Sequence, residues 1–223
     1  MNWPAECAAV IPCLNEERTI AIMVRRVREI LPTVIVVDDG SADATARQAE
    51  EAGAIVLRHA ENQGKGISMR DGLENARRLG FAWAILMDGD GQHSPQDIRH
   101  FTERAAATDA SLIVGNRMHN TASMPWLRRQ ANCWMSRQLS KIAGQPLPDT
   151  QCGFRMVRLD DWARLDLHTE RFEVESEWLL AFARAGLRIE FVPVQVIYES
   201  ERSKINPLLD TWRWFRWLRT RRR

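Results

Sequence analysis

Up to about residue 116, short apolar runs alternate with amphipathic stretches, and nothing else in the chain constrains its fold as strongly. The runs are Ala8-Ala9-Val10-Ile11-Pro12, Val34-Ile35-Val36-Val37, Ile55-Val56-Leu57, Ala84-Ile85-Leu86-Met87 and Leu112-Ile113-Val114. A short run without polar breaks predicts a strand buried on both faces. The stretches between predict helices. One covers residues 16–31, with Ile20, Val24, Val27 and Leu31 on one face. The next, capped by Ser41 or Asp43, runs to Ala52 and ends at Gly53. A third spans about residues 65–79 before Gly80, and a fourth opens at Ser94-Pro95 and runs to about Ala107. Strict alternation of this kind gives parallel βαβ units. The class is therefore α/β, with a mostly parallel, Rossmann-like sheet and helices on both faces.

Open α/β sheets bind ligands at the carboxyl edge of their strands. The sequence gathers Asn15 and Glu16, Asp38 and Asp39, Asp88 and Asp90, and Asn116 and Arg117 at that edge. The most distinctive segment is Asp88-Gly89-Asp90-Gly91-Gln92-His93. In an extended chain Asp88 and Asp90 point the same way, and Gly89 keeps bulk between them low. Such a pair suits a hard divalent cation shared with a diphosphate. An acidic Asp-Gly turn is the competing explanation.

Other candidates carry two explanations each. Asp38 and Asp39 can accept hydrogen bonds from a base or ribose, or cap the next helix. In Asn62-Gln63-Gly64-Lys65-Gly66, backbone N–H groups and Lys65 at a helix start can meet phosphate, though the Walker spacing is missing. Arg117 is a candidate phosphate fork. Asp149 is either a general base or a capping acid. Glu173, Glu175 and Glu177 form a dense acidic cluster, and a solvated helix start favoured by the helix dipole accounts for at least one of them. Arg202 and Lys204 are phosphate grips or surface charge. His93 is a candidate ligand beside the acidic pair, but the five histidines show no zinc spacing. No Gly-x-Ser-x-Gly elbow is present.

Beyond residue 116 the pattern loosens. A helix is expected over 125–143, with Leu127, Ala131, Trp134, Leu139 and Ile142 on one side, then a strand within 153–157. A helix over 174–185 ends at Gly186, and extended segments follow at 189–193 and 194–198. With no low-complexity linker, residues 1–206 are expected to form one domain. Residues 207–223 form a basic, Trp-rich amphipathic helix: Trp212, Trp214 and Trp217 stand among Arg213, Arg216, Arg219 and Arg222. Indoles and guanidinium groups favour the lipid–water interface, and each cation near an anionic surface contributes about 1 kcal/mol. The alternative is a helix docked on the domain.

The net charge of +2 gives no nucleic-acid signal. Cys7, Cys13, Cys133 and Cys152 form no Cys-x-x-Cys pair, which predicts a reducing, cytoplasmic setting. The first residues lack the features of a signal peptide, and no apolar run is long enough to span a bilayer.

Several segments together resemble the family 2 glycosyltransferases, most nearly the dolichyl-phosphate mannose synthase branch. They are residues 11–16 (Ile-Pro-Cys-Leu-Asn-Glu), 36–41 (Val-Val-Asp-Asp-Gly-Ser), 62–66, 88–93, 115–117, 149–155, 172–175 and 198–204. The resemblance implies a GT-A fold and inverting transfer of one sugar from a UDP- or GDP-sugar donor. It implies that Pro12, Asn15, Glu16, Asp38 and Asp39 hold the nucleoside. Asp88, Asp90 and Gln92 would bind Mg²⁺ or Mn²⁺ with the diphosphate, and Arg117, Arg202 and Lys204 would sit near donor or acceptor phosphates. Leu14 stands where a tyrosine is common, and the Gln-x-x-Arg-Trp motif of processive relatives is missing. A polyprenyl phosphate or other membrane lipid is the expected acceptor, at the inner face of the cell membrane. A hydroxyl acceptor would need a base, for which Asp149 is the candidate. The alternatives are a sugar-phosphate nucleotidyltransferase, disfavoured by the absence of a Gly-rich loop after the first strand, and a catalytically degenerate membrane scaffold.

Overall fold

The computed structural model of the chain describes residues 2–119, 124–169, 173–195, 214 and 216–218. The strands are β1 (Cys7–Cys13), β2 (Val34–Asp38), β3 (Ile55–Arg58), β4 (Trp83–Leu86), β5 (Leu112–Asn116), β6 (Arg155–Arg158) and β7 (Ile189–Pro193). They form one sheet in the order β3-β2-β1-β4-β6-β5-β7. β1 is parallel to β2 and β4, β2 to β3, and β5 to β7. The helices are α1 (Trp3–Glu6), α2 (Ile20–Arg28), α3 (Thr45–Glu51), α4 (Lys65–Arg78), α5 (Ile98–Ala107), α6 (Trp126–Ala143), α7 (Leu159–Trp162) and α8 (Val174–Arg184). Every residue of β1, β2 and β4 is buried, so both faces of the central sheet are covered.

The expected α/β class holds, with one departure that positions the site. β6, between β4 and β5, runs antiparallel to both. Its entry end therefore lies at the same edge as the exits of β1, β2, β4 and β5. Residues 149–154 reach the ligand edge by leading into a strand rather than out of one.

Local boundaries also differ for physical reasons. The helix expected from residue 16 starts at Ile20, because Asn15 takes a left-handed turn (φ 52°) and Glu16 N–H donates to Thr45 Oγ1. Ser41 is not a cap: its Oγ accepts from Asn15 N–H, while Asp43 Oδ1 accepts from Thr45 N–H. Ser94 makes no side-chain cap, and a 3₁₀ turn at Pro95–Asp97 precedes α5.

The larger correction concerns α6. Of the residues expected on one side, Leu127, Ala131 and Trp134 are exposed, whereas Leu139 is buried together with Asn132 and Ser136. Two hydroxyls of the helix hold the 147–150 loop: Ser136 Oγ accepts from Thr150 N–H and Ser140 Oγ from Leu147 N–H. At the carboxyl terminus, Trp214 and Leu218 are buried. Trp214 Nε1 donates to Ser176 Oγ at 2.9 Å and the indole packs edge-on against Trp134. These residues dock on the domain. Arg202, Lys204 and most of 207–223 lie outside the described residues. No helix among the described residues is long and apolar enough to cross a membrane.

Candidate active site

The exits of β1 and β2 are tied together by a dense set of hydrogen bonds. Asn15 Oδ1 accepts from Ala42 N–H, and Asp38 Oδ1 accepts from Ser41 N–H. Asp38 Oδ2 is buried without a hydrogen bond, 3.4 Å from Arg58 Nε. Asp39 accepts from Gln63 and Gly64 N–H and lies 2.7 Å from His59 Nδ1; His59 Nε2 in turn meets Asp71 at 3.0 Å. Burial alone would raise the Asp39 pKa, but His59 and the two amides outweigh it and hold the carboxyl below its ordinary range. Gly40, at φ 77°, passes so close to the 61–62 backbone that a Cβ would lie 2.7 Å from the Glu61 carbonyl carbon. Asp39 thus shapes the loop that precedes Lys65. Pro12 is buried in β1 opposite Val37, and Asn15 is exposed at the rim.

Charge concentrates at the β4 exit. Lys65 Nζ, at the start of α4, lies 2.6 Å from Asp88 Oδ1 and 2.7 Å from Glu175 Oε1 on α8. Burial disfavours the ammonium, yet the two carboxylates outweigh it and hold Lys65 charged. Burial likewise pushes Asp88 up, but Lys65, then His93, outweigh it and hold the carboxyl well below its usual range. Asp90 moves the other way: burial and the Asp88 charge raise it. His93 Nδ1 accepts from Asp88 N–H, so neutral His93 carries its proton on Nε2, 3.8 Å from Asp88 Oδ2. Its ring is stacked on Phe154 with centroids 4.9 Å apart. Gly153 leaves room for Asp88, since a Cβ there would sit 2.6 Å from Oδ2.

At the β5 and β6 ends stands a sealed ion pair. Arg117 donates to Asp149 from its backbone N–H at 3.0 Å, from Nε at 2.8 Å and from a terminal nitrogen at 2.9 Å. Both side chains are buried. Burial would raise Asp149, but Arg117 outweighs it and lowers the pKa. Asp149 and the Arg117 guanidinium thus hold each other at the sheet edge. A lowered, buried carboxylate gripped by a guanidinium is a poor base. The Arg117 fork is closed on Asp149 rather than open to phosphate. Behind them the buried Arg155 donates to the carbonyls of Thr150, Cys152 and Glu175, fastening the 149–153 loop to the start of α8.

The edge therefore brings together Asp88, Asp90, Lys65 and His93 on one side and Arg117 with Asp149 on the other. Glu175 and Arg155 were not singled out as site residues. The first is legible: Glu175, Trp178, Leu179 and Phe182 repeat at i, i+3, i+4 and i+7, so Glu175 occupies a core-facing row rather than a solvated start. Glu177 is also buried, accepting from the amides of His168 and Thr169.

The donor set fits a hard divalent cation. Asp88, Asp90 and the side-chain amide of Gln92 would offer oxygen ligands, and burial together with the Asp88 charge raises the Asp90 pKa. Two carboxylates with water and diphosphate oxygens complete such a shell, and a cation would relieve their repulsion.

A mixed α/β sheet with this acidic exit beside a lysine-bearing helix start defines a GT-A type nucleotide-sugar enzyme. Residues 8–164 match the family described as Glycosyl transferase family 2, and the chain belongs to that family, an enzyme family of glycosyl transfer. Among curated relatives, it is 29% identical to the UDP-N-acetylglucosamine–dolichyl-phosphate N-acetylglucosaminyltransferase of Methanococcus voltae, over 85% of this chain and 84% of that one. It is 28% identical to the undecaprenyl-phosphate mannosyltransferase of Micrococcus luteus, over 84% of this chain and 82% of that one. The fold superposes with a TM-score of 0.77 on glucosyl-3-phosphoglycerate synthase from Mycobacterium tuberculosis, solved with Mn²⁺, UDP and product. That likeness covers 97% of this chain and 79% of the other at 18% identity.

Proposed function

We propose that this protein transfers one sugar, with inversion, from a nucleotide sugar to a polyprenyl phosphate at the inner face of the cell membrane. The observation that carries the proposal is the β4 exit, where Asp88 is held between Lys65 and His93 beside Asp90. Relatives named for sugar transfer to dolichyl and undecaprenyl phosphate support the acceptor class. Asp88, Asp90 and Gln92 would hold Mg²⁺ or Mn²⁺, which when bound supplies Lewis-acid stabilisation of the diphosphate. Lys65 adds a fixed positive charge for the same leaving group. The nucleoside would lie against Pro12, Asn15, Glu16 and Asp38 at the exits of β1 and β2.

In the reaction, an acceptor phosphate oxygen attacks the anomeric carbon from the face opposite the diphosphate. The new C–O bond forms as the old one breaks, and its electron pair leaves with the nucleoside diphosphate. A phosphate acceptor is already anionic, so no proton must be removed and no base is required. The sealed state of Asp149 agrees with this acceptor and not with a hydroxyl. Arg202 and Lys204 are proposed to bind the acceptor phosphate.

The test is a thermal-shift screen of UDP-, GDP- and dTDP-sugars with and without Mn²⁺, followed by transfer to a polyprenyl phosphate. A metal-dependent rise in Tm with one nucleotide and a lipid-linked sugar product are expected. Free phosphate as the acceptor of choice, or pyrophosphate released from a nucleoside triphosphate, would overturn the proposal.

A further inference from the structure

We propose that His59 is a positioning residue for the donor site: it clasps Asp39 to α4 and so fixes where Lys65 stands. Asp39 continues β2 by one residue, its N–H donating to the Cys13 carbonyl. His59 continues β3 in the same way, its N–H donating to the Asp38 carbonyl. The two side chains meet just past the sheet edge, with His59 Nδ1 2.7 Å from Asp39 Oδ1. The other ring nitrogen, Nε2, lies 3.0 Å from Asp71 Oδ2 on α4. A carboxylate only accepts, so both nitrogens donate where both contacts are made, and the ring then carries a positive charge between two negative ones. The side chains of His59 and Asp39 are buried, and that of Asp71 is half-exposed. The neighbouring Arg58 serves Asp38 and the Ser41 carbonyl instead.

The clasp holds α4 at two points. Asp39 accepts from the Gln63 and Gly64 amides at 2.9 Å each, immediately before Lys65. Gly64 stands at φ 101° and offers no side chain to cap the helix, so a carboxylate from the β2 exit fixes its entry. Asp71 follows Lys65 by six residues, about 9 Å along the helix axis. Lys65 therefore sits between two holds that share one imidazole, with its ammonium 2.6 Å from Asp88 and 2.7 Å from Glu175. Lysine is a point charge on a flexible stem, so its backbone anchor decides where that charge is presented. Loss of His59 removes the Asp71 hold outright and lets Asp39 rotate off the two amides. Apolar side chains filling this space would stabilise the fold as well; the charged clasp adds direction, and the direction serves Lys65. The inference deepens the donor-site reading and rests on it for what Lys65 does, not for the clasp itself.

The test compares the full chain with His59→Ala, Asp71→Ala, Lys65→Met and His59→Ala/Lys65→Met. Affinity for UDP, GDP and dTDP with Mn²⁺ is measured by calorimetry, and kcat and donor KM are measured beside it. His59→Ala should weaken the preferred nucleotide and raise the donor KM about tenfold, with kcat changed by less than about threefold. Asp71→Ala keeps the buried His59–Asp39 pair, and with it the fold, and should raise the same KM about threefold. Because His59 acts through Lys65, the double variant should bind no more weakly than Lys65→Met alone. Losses that multiply in the double variant would overturn the proposal, as would a lowered Tm with an unmoved KM in both single variants. Amide hydrogen exchange reads the clasp without any nucleotide. Gln63 and Gly64 should exchange about tenfold faster or more in His59→Ala and at the parent rate in Lys65→Met. Unaltered exchange at both amides in His59→Ala would sink the clasp. Accelerated exchange there, in a protein whose parent binds none of the three nucleotides, would support the clasp while overturning the proposed reaction.

Discussion

Two cations reach the same sheet edge and do different work there. Arg117 is closed on Asp149 by three donors, both side chains out of solvent. Lys65 bridges Asp88 and Glu175 by its single ammonium, and both Lys65 and Asp88 remain partly exposed. The first contact is complete, so it fixes the 149–153 loop against β5. The second has a rotatable partner and solvent beside it, so an incoming diphosphate can compete for it. Rigidity sits on the β5–β6 side of the edge and exchangeable charge on the β4 side.

The largest expected effect comes from opening the sealed side. Arg117→Ala leaves Asp149 buried without a partner and should cost about 3–5 kcal/mol in denaturant unfolding. Asp149→Asn tests the base directly: it should lower stability while activity per folded molecule changes by less than about threefold, against the ~10²–10⁴-fold expected for an essential base. The pH dependence has a definite sign. Because the folded Asp149 pKa is lowered, its contribution is present above the unfolded value of about 4 and is lost as pH falls through the folded value. The acid limb of the stability curve should therefore flatten in Asp149→Asn; an unchanged limb would show that other carboxylates govern it.

On the exchangeable side the effect should fall on chemistry rather than stability. Asp88→Asn is expected to reduce kcat by roughly 10²–10³ and to weaken Mn²⁺ dependence. Unfolding should lose less than in Arg117→Ala, since Lys65 keeps Glu175. Full activity in this variant would remove the acidic exit from the mechanism. Lys65→Met should act between these extremes, raising the donor KM about tenfold through one lost charge-assisted contact. A stability loss in Lys65→Met as large as in Arg117→Ala would erase the distinction between the two cations.

How far these regions were legible follows from what a local sequence encodes. The central strands announce themselves because burial on both faces leaves no polar position in Val34–Val37 or Ala84–Met87. The acidic exit announces itself because Asp88 and Asp90 end such a run. The direction of β6 does not, since a four-residue strand, Arg-Met-Val-Arg, pairs either way. For the same reason Asp149 and Arg117 read as two separate functional groups: nothing local says that they meet. α6 misled for a different cause. Periodicity places its apolar residues on one side, whereas the interior there takes in serine hydroxyls that hold a loop.

The smallest predicted effect is the sharpest test of how the two sides connect. Gly153 lies in the loop that Arg155 and the Arg117–Asp149 pair hold in place, and it faces Asp88 across the edge. Gly153→Ala would place a Cβ 2.6 Å from Asp88 Oδ2. That separation is untenable, so either the carboxylate rotates away or the loop retreats. If the 149–153 loop is as rigid as its hydrogen bonds imply, Asp88 yields, and kcat should fall about tenfold with stability changed by about 1 kcal/mol or less. If the loop yields instead, stability should drop while kcat holds. Measuring both quantities in this one variant shows which side of the edge is stiff, and an activity loss without a stability loss is the outcome that the difference between Lys65 and Arg117 requires.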